Sequence, residues 1–103
     1  MEQKGANLSV LVAVTDSGTP QEEVQEHLDE LSFLGETAGL ETMGTVIQRL
    51  EHPDSKTYIG KGKMEEVRNY VFSHNISAVV FDDDLSASQL RNIEKTMNPA
   101  ERE

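Results

Sequence analysis

Two short clusters hold the residue types with chemistry to offer. The first is Gly60-Lys61-Gly62-Lys63, inside the stretch TYIGKGKMEEV (residues 57–67). Glycines let a backbone approach an anion closely, free N–H groups at a helix start point toward it, and lysines add point charges. That pattern reads as contact with a phosphate, with Gly60 or Gly62 or both expected at positive φ or close to another backbone. The plainer reading is a flexible glycine turn whose lysines are solvated. The stretch does not fit the phosphate loop G-x-x-x-x-G-K-[ST], and no match to it occurs in the 103 residues, which argues against nucleotide hydrolysis. Tyr58 lies beside the lysines, where its ring could stack on a base or anchor the loop to the body.

The second cluster is Asp82-Asp83-Asp84, with Arg91 further on, a second candidate patch. At the carboxyl end of a strand, aspartates can hold magnesium. Consecutive aspartates on extended backbone point in alternating directions, however, so three converge poorly on one ion. Acidic residues ahead of a helix also favour its N-terminal dipole, and this is the preferred reading. His27, His52 and His74 show no metal-ligand spacing, and no nucleophile elbow is present. The residues by themselves define no catalytic set and no metal site.

Composition narrows the classes further. There is no cysteine, so disulfides and thiolate metal sites are excluded, and the composition suits the cytoplasm. The longest purely apolar run, Val10 to Val14, is far too short to cross a bilayer, and the opening MEQKGANLS carries no signal-peptide pattern. The formal charge of -10 opposes a nucleic-acid partner at first sight. Its distribution is uneven. From Thr45 to Tyr70 the balance is +1 (Arg49, Lys56, Lys61, Lys63 and Arg68 against Glu51, Asp54, Glu65 and Glu66), which leaves -11 on the remainder.

The elements that must position these clusters follow from periodicity. Leu8 to Val14 is β-branched and apolar, as in a strand covered on both faces. Thr19, Pro20 and Glu22 read as N-cap, first helical residue and capping box. A helix follows with the stripe Val24, Leu28, Leu31, Leu34 and Ala38, stopped by Gly39. A mixed-polarity strand from Leu40 to Leu50 suggests an edge, and the ten residues EHPDSKTYIG then lack either period, a mark of functional or mobile connections. A helix starts near Gly62 with Met64, Val67 and Val71 inward and ends at His74-Asn75. Ile76 to Phe81 reads as a buried strand. Ser86 and Gln89 form another capping box, and Leu90, Ile93 and Met97 carry the last helix to Asn98-Pro99.

This alternation predicts an α/β fold: a small three-layer domain, a parallel sheet of three strands and helices on both faces. The strand order expected is 2-1-3-4, the third strand lying between the first and a fourth that the 103 residues do not supply. Its open edge would then pair with a second copy, or the last helix would exchange, giving a homodimer.

Taken together, these residues resemble the N-terminal domain of the HflX family of ribosome-associated GTPases. LDELSFLGETAGLE, PDSKTYIGKGKMEEV and VVFDDDLSASQLRNIEK carry the likeness, in the family's order and over residues 8 to 97. The family pattern reads PDPxTYIGKGKxEEL and FDDELSPSQxRNLE. Asp84 stands where glutamate is usual and Ala87 where proline is usual, the latter losing only a favourable first-turn residue. The resemblance implies that residues 1–103 are one N-terminal domain, non-catalytic and without a cofactor of its own. GTP and magnesium would belong to a G domain elsewhere in the parent protein, which would bind the large ribosomal subunit and split or rescue stalled ribosomes. This domain would then face ribosomal RNA, with Tyr58, Gly60, Lys61, Gly62, Lys63 and Arg68 toward phosphate. An alternative keeps ATP or GTP between the Gly-Lys helix start and Asp82–Asp84, since some members are credited with adenine-nucleotide binding through this region.

Overall fold

The computed structural model describes residues 7–97. Six elements alternate along them: β1 (Asn7–Thr15), α1 (Gln21–Thr37), β2 (Leu40–Arg49), α2 (Lys61–His74), β3 (Ala78–Phe81) and α3 (Ala87–Met97). The strands pair in parallel in the order β2-β1-β3, the first three places of the expected 2-1-3-4 arrangement.

The central strand explains the layering. Successive side chains of a strand face opposite ways. Val10 and Val12 therefore pack with Ile59, Met64, Val67 and Ile93, while Leu11 and Ala13 pack with Val24 and Leu28. The sheet thus carries α1 on one face and α2 with α3 on the other. β1 needs an unbroken apolar run because neither of its faces meets water. β2, at the edge, alternates half-buried and exposed residues along its whole length. A bulge between Ser9 and Val10 resets its register, so that Thr42 faces Ser32 of α1 (2.8 Å between hydroxyls) and Gly44 faces α2. A Cβ at Gly44 would lie 2.6 Å from the Tyr70 hydroxyl, so only glycine lets that ring cross the strand.

The helix ends follow local chemistry, with two departures from expectation. α1 has Pro20 at its N-cap position and no side-chain cap. The Thr19 hydroxyl is not a cap, because it donates to Asp16 Oδ1 (2.9 Å) in the preceding turn. Along α1 the stripe fades: Val24 and Leu28 are buried, but Leu34 is 54% exposed and Ala38 is exposed too. Leu34 shares a helix flank with His27, which faces the β3 side, and β3 brings only Val80 to the α1 core. Gly39 closes α1 at φ +90, and Asn75 ends α2 in the left-handed region with its N–H bonded to Val71 O.

β3 is shorter and wetter than the run Ile76 to Phe81 predicts. Only Ala78–Phe81 form the strand, each half-buried, although Ser77 N–H still donates to Leu8 O (2.8 Å). The reason is its position: β3 pairs with β1 on one side alone. The expected stop at Asn98-Pro99 and the opening stretch MEQKGA lie outside the described residues. Among those described, no helix is long and apolar enough to cross a membrane.

Candidate functional site

In a parallel sheet every following helix starts at the carboxyl ends of the strands, so the Gly-Lys cluster, the aspartates and the connection after β2 all gather at one edge. That connection has no regular structure, yet most of its residues from Asp54 to Gly60 are tied by hydrogen bonds. Asp54 Oδ1 accepts the amides of Lys56 (2.8 Å) and Thr57 (3.1 Å), an Asx turn. Asp54 and Tyr58 exchange backbone hydrogen bonds of 2.9 and 2.8 Å across it. Thr57 Oγ1 donates to Ile59 O (2.8 Å), and Gly60 N–H donates to Gln48 Oε1 of β2 (2.8 Å). From α3, Gln89 Nε2 reaches Asp54 O (2.8 Å) and Asn92 Nδ2 reaches Lys56 O (3.1 Å). This is a held loop rather than a slack one.

Tyr58 is its plug. The ring is 2% exposed and packs edge-on against Phe81 at 5.6 Å between centroids, and its hydroxyl accepts Val14 N–H at 3.4 Å. Burial pushes its pKa up, with Asp83 and Asp82 adding to the shift. A ring so enclosed offers no face to a base. Tyr58 is therefore an anchor, and its place among the phosphate-facing residues is corrected.

The left-handed backbone also falls to Tyr58, at φ 73, and not to the glycines expected to need it. Gly60 has φ -62 and caps α2 in extended geometry. A Cβ there would come within 3.2 Å of Gln48 Nε2, so its value lies in seating that side chain. Gly62 is helical, and a Cβ added to it meets nothing within 4 Å. Neither glycine is a strained hinge.

The start of α2 is where charge and backbone coincide. It has no side-chain cap and no acidic residue in the first turn. Met64 N–H takes Gly60 O, which leaves the amides of Lys61, Gly62 and Lys63 as the orphan donors of a helix start. Lys61 and Gly62 are exposed, and Lys63 leans back on Glu66 at 3.2 Å. Arg68 is not part of this cluster. Two turns on, it is half-buried with its guanidinium 5.2 Å from the Phe72 ring centroid, and its buried Nε has no partner among the described residues.

The aspartates do not converge. Asp82 turns to the α1 side, where His27 Nδ1 stands 3.5 Å from its Oδ2. Both border a crevice of about 240 Å³ with Asp16, Glu23, Val14 and Val24. Asp16 there is held below the usual carboxylate range by the Thr19 hydroxyl and the Gly18 amide. Asp83 bonds the Asp84 amide (2.8 Å), and both side chains are exposed, as is Arg91 on α3. Asp82 therefore lies on one face of the sheet and the Gly-Lys helix start on the other. Among the described residues, no group of three His, Asp or Glu could hold a metal ion.

A sheet ordered 2-1-3 with this held loop ahead of an α2 that has no side-chain cap makes a small α/β domain. The model of the GTP-binding GTPase N-terminal family matches residues 25–100, and the chain belongs to that family as the N-terminal domain of an HflX protein. It is 41% identical to GTPase HflX of Flavobacterium psychrophilum over 90 residues, covering 87% of this chain and 22% of that protein. Against GTPase HflX of Chlamydia pneumoniae it is 31% identical over 97 residues, 93% of this chain and 21% of the relative. The Escherichia coli GTPase HflX is 33% identical over 75 residues, 73% and 18% respectively. The chain thus spans about a fifth of the length of the curated relatives it matches.

Proposed function

We propose that this domain is a non-catalytic recognition module of a cytoplasmic HflX-type GTPase, docking on ribosomal RNA of the large subunit through the start of α2. One observation carries the reading: α2 begins with three orphan amides, no cap, and two lysines where a helix dipole favours acids. Each such lysine is unfavourable by about 0.3–1 kcal/mol in isolation, and an arriving phosphate reverses the sign. The loop before it is already rigid, so little ordering cost accompanies contact. Docking would use one less acidic window of an acidic chain, with Gly60, Lys61, Gly62 and Lys63 at its centre.

GTP hydrolysis, which the relatives' name states for them, is assigned to another part of the parent protein, because these 103 residues contain no phosphate-loop sequence. The opposed placement of Asp82 and the Gly-Lys start favours an RNA phosphate over a nucleotide held between them. The test is co-sedimentation with large ribosomal subunits, for wild type and for Lys61→Glu/Lys63→Glu. Wild type should pellet with the subunit and the double variant should stay in the supernatant. Equal pelleting of the two would sink the reading.

A further inference from the structure

Gln89 performs two jobs with one amide. Its Oε1 accepts Ser86 N–H (2.9 Å), completing the cap of α3, while its Nε2 donates to Asp54 O (2.8 Å) in the loop before α2. One helical turn later, Asn92 Nδ2 donates to Lys56 O (3.1 Å). Both acceptors are backbone carbonyls of a segment without regular structure, at the two ends of its Asx turn. Asp54 O also accepts Tyr58 N–H (2.8 Å), whereas loop backbone without such partners bonds water and samples many conformations. From these contacts we infer that Gln89 and Asn92 are positioning residues: α3 clamps the loop and fixes the cation-bearing edge, including exposed Lys56, in the form that meets the anion.

The inference rests on the RNA-docking reading for the purpose of the clamp, but not for its existence. α3 and the loop become one mechanical unit, so a displacement of α3 loosens the edge that α2 presents. Lys56, whose carbonyl Asn92 holds, becomes a third cation of the contact. Nothing in its own sequence neighbourhood marks it out from other surface lysines.

Gln89→Glu separates the two jobs. Glutamate keeps the acceptor that caps Ser86 N–H and lacks the donor that holds Asp54 O. It is paired with Asn92→Ala. Amide hydrogen exchange at Lys56, Thr57, Tyr58 and Gly60 is read alongside global unfolding and binding to a large-subunit RNA fragment. Each variant should speed exchange at those amides about fivefold, the equivalent of one net hydrogen bond, and the double variant by more. The global unfolding equilibrium should shift by no more than the same factor, since the bond is lost from the folded state alone, and RNA affinity should fall in step with exchange. Unchanged exchange in the double variant overturns the clamp. Faster exchange with undiminished RNA affinity overturns its positioning role. If wild type binds no RNA while exchange still responds, the clamp stands and the docking reading fails on its own.

Discussion

The starts of α2 and α3 lie at the same edge of the sheet and are built in opposite ways. α3 opens with a closed ring: Ser86 Oγ accepts Gln89 N–H (3.0 Å) and Gln89 Oε1 accepts Ser86 N–H (2.9 Å). α2 opens with glycine, two lysines and no side-chain acceptor. The first has a side-chain acceptor for its Gln89 amide and carries no added charge; the second has no such acceptor and positive charge left over. On the proposed docking reading, a domain that caps one helix start and leaves its neighbour open would concentrate anion affinity at the open one. The same reading would account for how a chain of net charge -10 approaches a polyanion.

The largest way to break this contrast is to remove the plug beneath the open start. Tyr58→Ala should cost about 3–5 kcal/mol in chemical denaturation, the usual loss for a large buried aromatic, and should free the loop as well. A loss under about 1 kcal/mol would mean that the ring is not the anchor.

Next in size is the charge at α2. Lys61→Glu/Lys63→Glu should flatten the slope of log affinity against log salt by about 1.4–1.8, the change that follows when two lysines no longer neutralise phosphates. An unchanged slope would reduce the lysines to solvated surface residues. On the closed side, Ser86→Ala should lower stability by about 1 kcal/mol, the usual worth of an N-cap hydroxyl. RNA affinity should shift only so far as Gln89 loosens with it.

Gly62→Ala should do the reverse and stabilise the domain by about 0.5–1 kcal/mol, because the site is helical and open. A destabilised variant would restore the special role for that glycine which the sequence suggests. The smallest effect is alkaline. Tyr58 has a pKa raised above its ordinary 10.0 by burial, so the fold favours the neutral phenol. Its contribution is intact below pH 10 and declines as pH rises through the folded value. Wild-type unfolding midpoints should fall in that window more steeply than those of Tyr58→Phe.

Much of the fold was legible because it is written in local periods. β1 reads as a doubly covered strand from its unbroken apolar run, and β2 as an edge from its mixed one. The Ser86–Gln89 ring is visible at its three-residue spacing. Strand order follows the arrangement common to doubly wound sheets, which alternation of strands and helices points to. Thr19 misled because a nearer acceptor, Asp16, takes its hydroxyl. The glycines misled because the left-handed position went to a tyrosine, whose burial outweighs a strain of order 1 kcal/mol. Leu34 reads as core because periodicity cannot say how far the neighbouring strand extends.

The clamp was not legible at all. Gln89 and Asn92 bond carbonyls 35 and 36 residues away, and a backbone carbonyl leaves no trace in sequence. Gln89 could be found as a cap, but its second bond could not. In the candidate site, Lys61 and Lys63 were marked by type and spacing, whereas Arg68 was included by proximity in sequence and lies two turns away along α2.

The central claim is that α2, and not its neighbours, presents the anion-binding helix start. Titrating a labelled sample with a large-subunit RNA fragment and following backbone amide resonances tests it most directly. The account predicts that the amides of Lys61, Gly62 and Lys63 shift first and furthest, while those of Glu22, Glu23, Ser88 and Gln89 stay near their free positions. Shifts centred on the start of α1 or α3, or none at all at saturating RNA, would contradict it.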